Sequence, residues 1–338
     1  MTRPGYKATS NNANIETIRP LRTETMSLAF QVLDVFTSTP FLGNPLAVVT
    51  IPPNTPLTSA QKQRIAKEFN LSETTFVHDV ENQTGTDERR FDIYTPQAEL
   101  PFAGHPTIGT AVHLHDQGVK TLVAKAGRID IESAADGLLR AAIPHNVRLH
   151  QNRLPEPKAD HVEGLAREVA FAEKGAPLFS IVPGMTFALI ELPSVELLGA
   201  ARVGDPSVLS ADLLDDKWNE GWITRRYYYV RLGTEEVGDM MKHRVRTRLI
   251  KPAMEDPATG SAACALASYL SLHVVDGKSN TFEIVQGVEM GRDSTILVDV
   301  EVGESSLGGK VLESVHLGGM AVTVSSGNIR VPFDADHL

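Results

Sequence analysis

Cysteine is almost absent from this chain, whose 338 residues include a single one, Cys264. One cysteine excludes an intramolecular disulfide, a metal site built from several thiolates and any reaction that needs two thiols in one site. Long hydrophobic runs are also missing, since no apolar stretch approaches the roughly 18 residues of a membrane-spanning helix. We therefore expect no membrane partner. The cysteine count is compatible with a reducing compartment, and we expect a cytoplasmic protein.

Positive charge is scarce too, because 32 Lys and Arg against 42 Asp and Glu leave a net charge of -10. An acidic chain binds nucleic acid poorly unless it carries a local basic patch. The densest basic segment, KHRVRTR at 242–248, alternates like the polar face of a strand, so we expect no nucleic-acid partner. The hydrophobic content of 42% is sufficient for globular cores, and the length fits about two domains.

Residues 1–27 differ from the rest in being rich in Asn, Thr and Arg and in lacking the apolar segment of a secretory signal. We predict a disordered leader there, with a weak transit signal as the alternative. From residue 28 onward one order of strands and helices occurs twice, separated by a polar, proline-containing segment near 146–163. We predict an N-terminal domain over 28–150 and a C-terminal domain over 151–338, related by pseudo-symmetry.

The fold class indicated by this repeat is α+β, with a bent, mostly antiparallel sheet wrapped around one main helix in each domain. A capping box that begins at Thr58 predicts a helix over 59–69, and Asn70 suits its end. In the second half, the segment SVLSADLLDDKWNE at 207–220 predicts a capped helix at the corresponding place.

Two short segments share one frame: AGHPTIGTA at 103–111 and EDPATGSAA at 255–263. They align as HPxxGTA and DPxxGSA when His105 is set against Asp256. A polar residue before proline is typical of an N-cap followed by the first helical position. Each frame therefore predicts a helix whose N-terminus is lined by small residues, with Gly109 or Gly260 one turn inside.

Two such helix N-termini, brought together by pseudo-symmetry, would bind an anion through free N–H groups and the helix dipoles. His105 and Asp256 would face each other across this site as an acid, a base or an orienting pair. The simpler alternative, that both are ordinary helix caps, stays open at this point.

Five segments in order resemble the signatures of the PhzF-like family, named after a phenazine-biosynthesis isomerase and belonging to the broader diaminopimelate epimerase fold. They lie between Phe30 and Arg292 and read VFTSTPFLGNPLAVV, QRIAKEFNLSETTFV, ELPFAGHPTIGTA, EDPATGSAA and VQGVEMGR. The resemblance implies two epimerase-type domains, an active site in the cleft between them and a homodimer.

The resemblance also implies roles for single residues. The family's proton-shuttling glutamate lies in NLSET, here Glu73, and its catalytic histidine and aspartate correspond to His105 and Asp256. The implied substrate contacts are Ser72, Gly104, Gly260 and Ser261. Composition and spacing alone do not distinguish Glu73 from the other glutamates. In an apolar cleft its pKa would rise toward neutrality, which suits a group that both takes and returns a proton.

The implied function is a cofactor-independent isomerase that moves a proton on a small, anionic, carboxylate-bearing metabolite. The best-known family reaction is isomerisation of trans-2,3-dihydro-3-hydroxyanthranilate. The alternative is a family-like protein that binds a small anion or a protein partner with little or no catalysis. In the helix predicted from this frame, His113 and His115 lie on well-separated faces, so they form no ligand pair. We expect neither metal nor cofactor.

Two features depart from the related pattern. The epimerase relatives carry a cysteine at each helix N-terminus, and both loops lack one here, which argues against two-base thiol racemisation. Cys264 lies inside the second helix, where we expect a small buried apolar residue. Asp293 occupies a place where family members often have proline, which leaves the role of the neighbouring Arg292 open.

Overall fold

The computed structural model describes residues 26–80, 87–134, 138–156, 163–202, 210–219, 225–251, 254–306 and 308–333. Almost all of the predicted leader, 1–27, lies outside the described residues. The first strand begins at Ser27, one residue before the predicted start of the N-terminal domain at residue 28.

Two similar sets of strands and helices follow one another along the chain. The first set consists of β1 (Ser27–Val35), β2 (Asn44–Ile51), α1 (Ser59–Phe69), β3 (Glu73–His78), β4 (Glu88–Tyr94), β5 (Glu99–Leu100), α2 (Gly104–Leu114), β6 (Thr121–Ala124), β7 (Gly127–Ser133) and β8 (Leu139–Ala142). The second set is preceded by β9 (Arg148–Arg153) and α3 (Gly164–Ala172). It consists of β10 (Pro177–Val182), β11 (Met185–Glu191), α4 (Val195–Ala200), β12 (Arg226–Val237), β13 (Met240–Ile250), β14 (Glu255–Asp256), α5 (Gly260–His273), β15 (Ser279–Gln286), β16 (Ser294–Glu304) and β17 (Lys310–Gly319), and β18 (Ala321–Arg330) follows it.

The strand pairings repeat between the two sets. In the first set β2 lies parallel to β3 across α1, and β4 lies parallel to β6 across α2. In the second set β11 lies parallel to β12 across α4, and β13 lies parallel to β15 across α5. The other pairings between described strands are antiparallel. The prediction of two pseudo-symmetric α+β units with mostly antiparallel sheets is confirmed.

The two sets also exchange strands. Strand β18, at the end of the chain, pairs with β1, and β9, which follows the first set, pairs with β10 of the second. Strand β8 pairs with β17 and so connects the two sheets directly. The boundary proposed between residues 150 and 151 falls inside β9 and stays a prediction.

Helices α2 and α5 lie at the centre of the sheets. Helix α5 reads GSAACALASYLSLH and is buried on nearly all sides, including Cys264, Ala265 and Leu266. A helix composed mainly of small and apolar residues has no polar face to leave in water, so a bent sheet wraps around it. One apolar cluster contains Ile108 of α2, Leu266 of α5 and strand residues from both sets. Within the described ranges, no helix is long and apolar enough to cross a membrane.

The local predictions succeed in part. Helix α1 spans Ser59–Phe69 with the capping box at Thr58 and a left-handed Asn70 at its end, as predicted. The helix predicted at 207–220 is wrong for its described part, because residues 210–219 contain only a 3-10 turn at Ala211–Leu213. The counterpart of α1 is the shorter α4, which starts after Ser194. The polar segment near 146–163 contains a strand, β9, that was not predicted from the sequence, and its partner β10 was not predicted either.

Arg292 connects the second set to the loop between β1 and β2. Its Nη2 donates to Asp34 Oδ1 at 2.6 Å, its Nε to the Gly43 carbonyl at 2.9 Å and its Nη1 to the Phe41 carbonyl at 2.8 Å. The Asp34 side chain is only 3% exposed. Arg292 therefore bridges segments that lie about 250 residues apart in the chain.

Replacing Arg292 with Met is expected to lower the free energy of unfolding by about 2 kcal/mol, because Asp34 loses its charged partner while staying buried. Urea titration followed by circular dichroism measures the change. Arg244 is exposed on β13, so Arg244→Met is a matched control with an expected change below about 0.5 kcal/mol. Equal effects of the two substitutions would contradict the bridging role of Arg292.

Candidate active site

The N-termini of α2 and α5 are in contact through their first residues. A Cβ atom added to Gly104 would lie 2.9 Å from Gly260 Cα, and one added to Gly260 would lie 3.1 Å from Gly104 Cα. The first distance is closer than a Cβ atom tolerates and the second is tighter than most real contacts, so glycine at both positions lets the two backbones meet without displacement. The two helix N-termini thus form one junction between the two sets of elements.

Neither helix at this junction has a side-chain N-cap. Helix α1 is capped by Thr58 and α4 by Ser194, each through a hydrogen bond to a backbone N–H of the first turn. In α2 and α5 the N-cap residues are Ala103 and Thr259, and neither makes a side-chain cap. The first N–H groups of a helix have no intrahelical acceptor, so those of α2 and α5 are suited to an anionic ligand.

The frame that aligns His105 with Asp256 is out of register by five residues. The Thr107 N–H donates to the Ala103 carbonyl, and the Ala263 N–H donates to the Thr259 carbonyl. The equivalent pairs are therefore Gly104 with Gly260, and His105 with Ser261.

The prediction that His105 and Asp256 are N-caps is wrong for both residues. His105 lies inside the first turn of α2, and Asp256 lies on β14, four residues before α5. Proline is tolerated anywhere in the first turn because its missing N–H is not needed there, so a polar residue before proline does not define the cap. Gly109 also has a different role, since it admits the side chains of Leu46 and Val35 rather than a backbone.

Glu73 and His105 are neighbours at the junction. Glu73 is the first residue of β3, and its Oε2 lies 3.4 Å from His105 Nδ1. The exposed fraction is 18% for the Glu73 side chain and 5% for His105. Within the described part of the chain, His105 Nε2 is buried without a hydrogen-bond partner. A polar atom left in this way is available to a ligand, since buried polar groups are normally paired.

Burial moves the pKa values of these two groups in opposite directions. It raises the pKa of Glu73, and hydrogen bonding from Ser72 and the charges of Lys251 and Arg225 oppose this rise. Burial lowers the pKa of His105 to about 4, although the charge of Asp256 opposes this change. Both shifts favour the uncharged form, so the imidazole stays neutral near pH 7 and the carboxyl binds its proton more tightly than an exposed glutamate does.

Asp256 is held by a hydrogen-bond network that joins the two sets of elements. Asn44 Nδ2 donates to Asp256 Oδ1 at 3.1 Å and to the Ala258 carbonyl at 2.8 Å, and Thr259 Oγ1 donates to Asp256 Oδ2 at 2.6 Å. Burial raises the pKa of Asp256, and its nearness to Glu73 adds to this rise while Lys251 opposes it. Asp256 affects His105 through its charge, whereas the Glu73 carboxyl lies 3.4 Å from His105 Nδ1 and the Pro45 backbone also bonds the imidazole.

Asn44 is a site residue that sequence reasoning missed. It is 1% exposed, and its Oδ1 accepts a hydrogen bond from Ser72 Oγ at 3.3 Å while its amide holds Asp256. The available signal was an asparagine directly after glycine, in GNP, at the start of a buried strand. A buried amide in such a place needs partners, which makes it a candidate for positioning polar groups.

The remaining predicted residues have clear positions. Ser72 precedes Glu73 and contacts Asn44, and Ser261 occupies in α5 the place that His105 occupies in α2. Cys264 is fully buried in α5, and burial raises the pKa of its thiol, in line with a small apolar role. In the described ranges, no group of three or more His, Cys, Asp and Glu side chains is arranged to hold a metal ion.

The depressed pKa of His105 predicts a pH-dependent stability. Between pH 6.5 and about 4 the unfolded chain binds a proton at this residue and the folded chain does not, so stability falls as the pH is lowered through this window. The loss amounts to about 3 kcal/mol at pH 4. The His105→Asn variant should lose this contribution.

Urea unfolding at several pH values measures the difference between wild type and variant. Glu73 and Asp256 titrate in both proteins, so the comparison isolates the contribution of the imidazole together with its coupling to Asp256. His115 is exposed, and His115→Asn should keep the wild-type slope. An unchanged slope for His105→Asn would show that the imidazole is not held neutral by burial.

Comparison with known proteins identifies the family. The profile described as phenazine biosynthesis-like protein matches residues 33–327, which include both helix N-termini and every predicted site residue. The chain belongs to this family. Glu73, His105 and Asp256 all lie around the junction of α2 and α5.

Relatives of this phenazine biosynthesis-like protein match over most of its length. A protein named as an isomerase in Mesorhizobium japonicum is 34% identical over 89% of this chain and 98% of its own length. The trans-2,3-dihydro-3-hydroxyanthranilate isomerase of Pseudomonas fluorescens is 31% identical over 89% of this chain and 98% of its own length. A phenazine biosynthesis protein of the PhzF family from Bacillus anthracis, known by crystal structure, shares the fold with a TM-score of 0.67 at 21% identity, covering 90% of this chain and 99% of that one.

Proposed function

We propose that the protein is a metal- and cofactor-independent isomerase that moves a proton between two atoms of a small carboxylate-bearing metabolite. The observation that carries the proposal is the contact between the Glu73 carboxyl and the His105 imidazole, 3.4 Å apart, beside two uncapped helix N-termini. A buried carboxyl next to a neutral imidazole suits general acid–base chemistry, and the helix N-termini suit negative charge on the substrate.

Glu73 is the proposed proton shuttle. As a carboxylate it accepts a proton from one substrate carbon, and the electron pair of the broken C–H bond enters the conjugated system of the substrate. The protonated Glu73 then returns the proton to a second carbon, which restores the carboxylate and leaves an isomer. The raised pKa of Glu73 supports this role, because the shuttle must exist in both protonation states near the working pH.

His105 and Asp256 are proposed to orient the reacting groups. The buried, unpartnered His105 Nε2 suits a hydrogen bond to a polar atom of the substrate, while Nδ1 lies beside Glu73. Asp256 is held by Asn44 and Thr259 at the start of α5. The substrate named for the Pseudomonas fluorescens relative bears a carboxylate on a ring, and this supports the class of substrate rather than one compound.

Incubation in deuterium oxide with a library of small carboxylates tests the proposal. Mass spectrometry measures deuterium uptake, and chromatography measures product formation. The second measurement is needed because a glutamate shielded from solvent returns the same proton and leaves no label in the product. We expect wild type to convert one compound or label it at one carbon. If library members bind, by ligand-observed NMR, and none is converted or labelled, the proposal is wrong and a binding protein with little catalysis takes its place.

A further inference from the structure

Two cationic residues lie together at one end of β12 and β13. Arg226 of β12 pairs with Ile250 of β13 in an antiparallel ladder, so the next residues in register are Arg225 and Lys251. Backbone hydrogen bonds to neighbouring segments fix the main chain at Arg225 and Lys251. The Arg225 carbonyl accepts from the Ala188 N–H at 3.0 Å, and the Lys251 N–H donates to the Met254 carbonyl at 2.8 Å.

Both residues belong to the sheet face that carries the site. Side chains alternate along a strand, so Arg225 shares a face with Tyr227, which pairs with Leu249 and packs in the apolar cluster around α5. Asp256 of β14 pairs with the same Leu249 and therefore lies on this face too. The Arg225 guanidinium lies 5.6 Å from the ring centre of Phe187, its neighbour on β11, which fixes its direction along the face.

Arg225 occupies the pseudo-symmetric position of Glu73. Thr74 is the first β3 residue to pair with β4, as Arg226 is the first β12 residue to pair with β13. The residues just before them are Glu73 and Arg225. One half of the molecule thus presents a carboxylate at this position, and the other half presents a guanidinium.

Neither cation is matched by an ion pair in the part of the chain that the structure describes, although both are half-buried. Arg226, next to Arg225, is paired with Glu173 at 2.8 Å, and Arg248 is paired with Glu255 at 2.7 Å. Removing a cation partly from water without a partner is costly. The charges of Lys251 and Arg225 reach the site, since they lower the pKa of Glu73.

We propose that Arg225 and Lys251 together bind the carboxylate of the substrate, which leaves the N–H groups of α2 and α5 to stabilise the charge that develops during proton transfer. The inference rests on the proposed function and specifies how its substrate is recognised. A guanidinium and an ammonium at adjacent positions in the strand register can each bond one oxygen of a carboxylate, and each charged hydrogen bond adds affinity. The substrate is therefore an acid whose carboxylate is retained unchanged through the reaction.

Binding of anthranilate and of its neutral amide, anthranilamide, tests the pair, because the two compounds differ in the carboxylate alone. Isothermal titration calorimetry compares wild type, the Arg225→Gln/Lys251→Gln double variant and an Arg244→Gln/Lys67→Gln control that removes the same charge from exposed positions. We expect anthranilate to bind the double variant roughly 10- to 100-fold more weakly than wild type, with anthranilamide binding unchanged. The control should bind like wild type.

Further measurements separate the possible failures. Thermal unfolding checks that the double variant is folded, and Arg225→Lys should recover part of the affinity because it restores the charge. Equal anthranilate affinity in wild type and double variant overturns the inference, and so does failure of wild type to bind anthranilate at millimolar concentration. Glu73→Gln should still bind anthranilate. Binding without any proton transfer in the wild type overturns the proposed function and leaves the cation pair standing.

Discussion

The Glu73→Gln variant is expected to convert substrate at least about 10³-fold more slowly than wild type, while keeping its fold. Glutamine has nearly the shape of glutamate, so contacts with Ser72 and His105 are largely preserved, but an amide cannot accept and return a proton. Initial rates of product formation and deuterium uptake on the compound found in the library measure the effect.

Stability gives an independent check on the same variant. The folded-state pKa of Glu73 is raised, so the folded protein binds more protons there than the unfolded chain does. Stability therefore falls as the pH rises from the usual 4.5 through the raised value, and Glu73→Gln should remove this loss. Near pH 7 the variant should be at least as stable as wild type.

A matched control for Glu73→Gln is available on α1. Glu68 is exposed, and Glu68→Gln removes the same charge at a distance from the junction, so it should retain wild-type rates. Wild-type turnover by Glu73→Gln would exclude this residue as the shuttle. If Glu73→Gln and Glu68→Gln lowered the reaction rate equally, the cause would be the change in net charge rather than the loss of a proton shuttle.

Replacing Gly104 with Ala is expected to lower the free energy of unfolding by about 1–3 kcal/mol and the reaction rate by about 10²-fold. The added Cβ would meet Gly260 Cα at 2.9 Å and Leu317 Cδ2 at 3.0 Å. Because one of these neighbours is backbone, the helices must separate by several tenths of an ångström. That separation shifts His105 relative to Glu73 and both helix N-termini relative to the substrate.

Gly199 is a suitable control, because it is also helical and a Cβ added there would meet nothing within 4 Å. Gly199→Ala should leave activity unchanged and hold or slightly raise stability, since alanine favours the helix. Urea unfolding and initial rates measure both variants. If Gly104→Ala kept wild-type stability and rate, the close approach of the two helices would be unimportant for the site.

Local signals predicted several elements of the fold well. The capping box at Thr58 and the left-handed Asn70 define α1 to the residue, because both depend on hydrogen bonds within one or two turns. The repeated small residues predicted α2 and α5 as central helices. The helix predicted at 207–220 is wrong for residues 210–219, where Asp215 is bonded to Arg148 and Gln151 of β9 and the backbone forms only a short turn, because such tertiary contacts override local propensity.

The amino-acid sequence by itself determined that two small-lined helix N-termini occur, that thiol chemistry is excluded at them and that the chain resembles the PhzF-like family. Tertiary structure decided which groups come together: Glu73 with His105, Asn44 with Asp256, and Arg225 next to Lys251 in the strand register. It also corrected the register of the repeated frame. These contacts depend on strand pairings between distant segments, as between Asn44 and Asp256, 212 residues apart, and no local propensity encodes them.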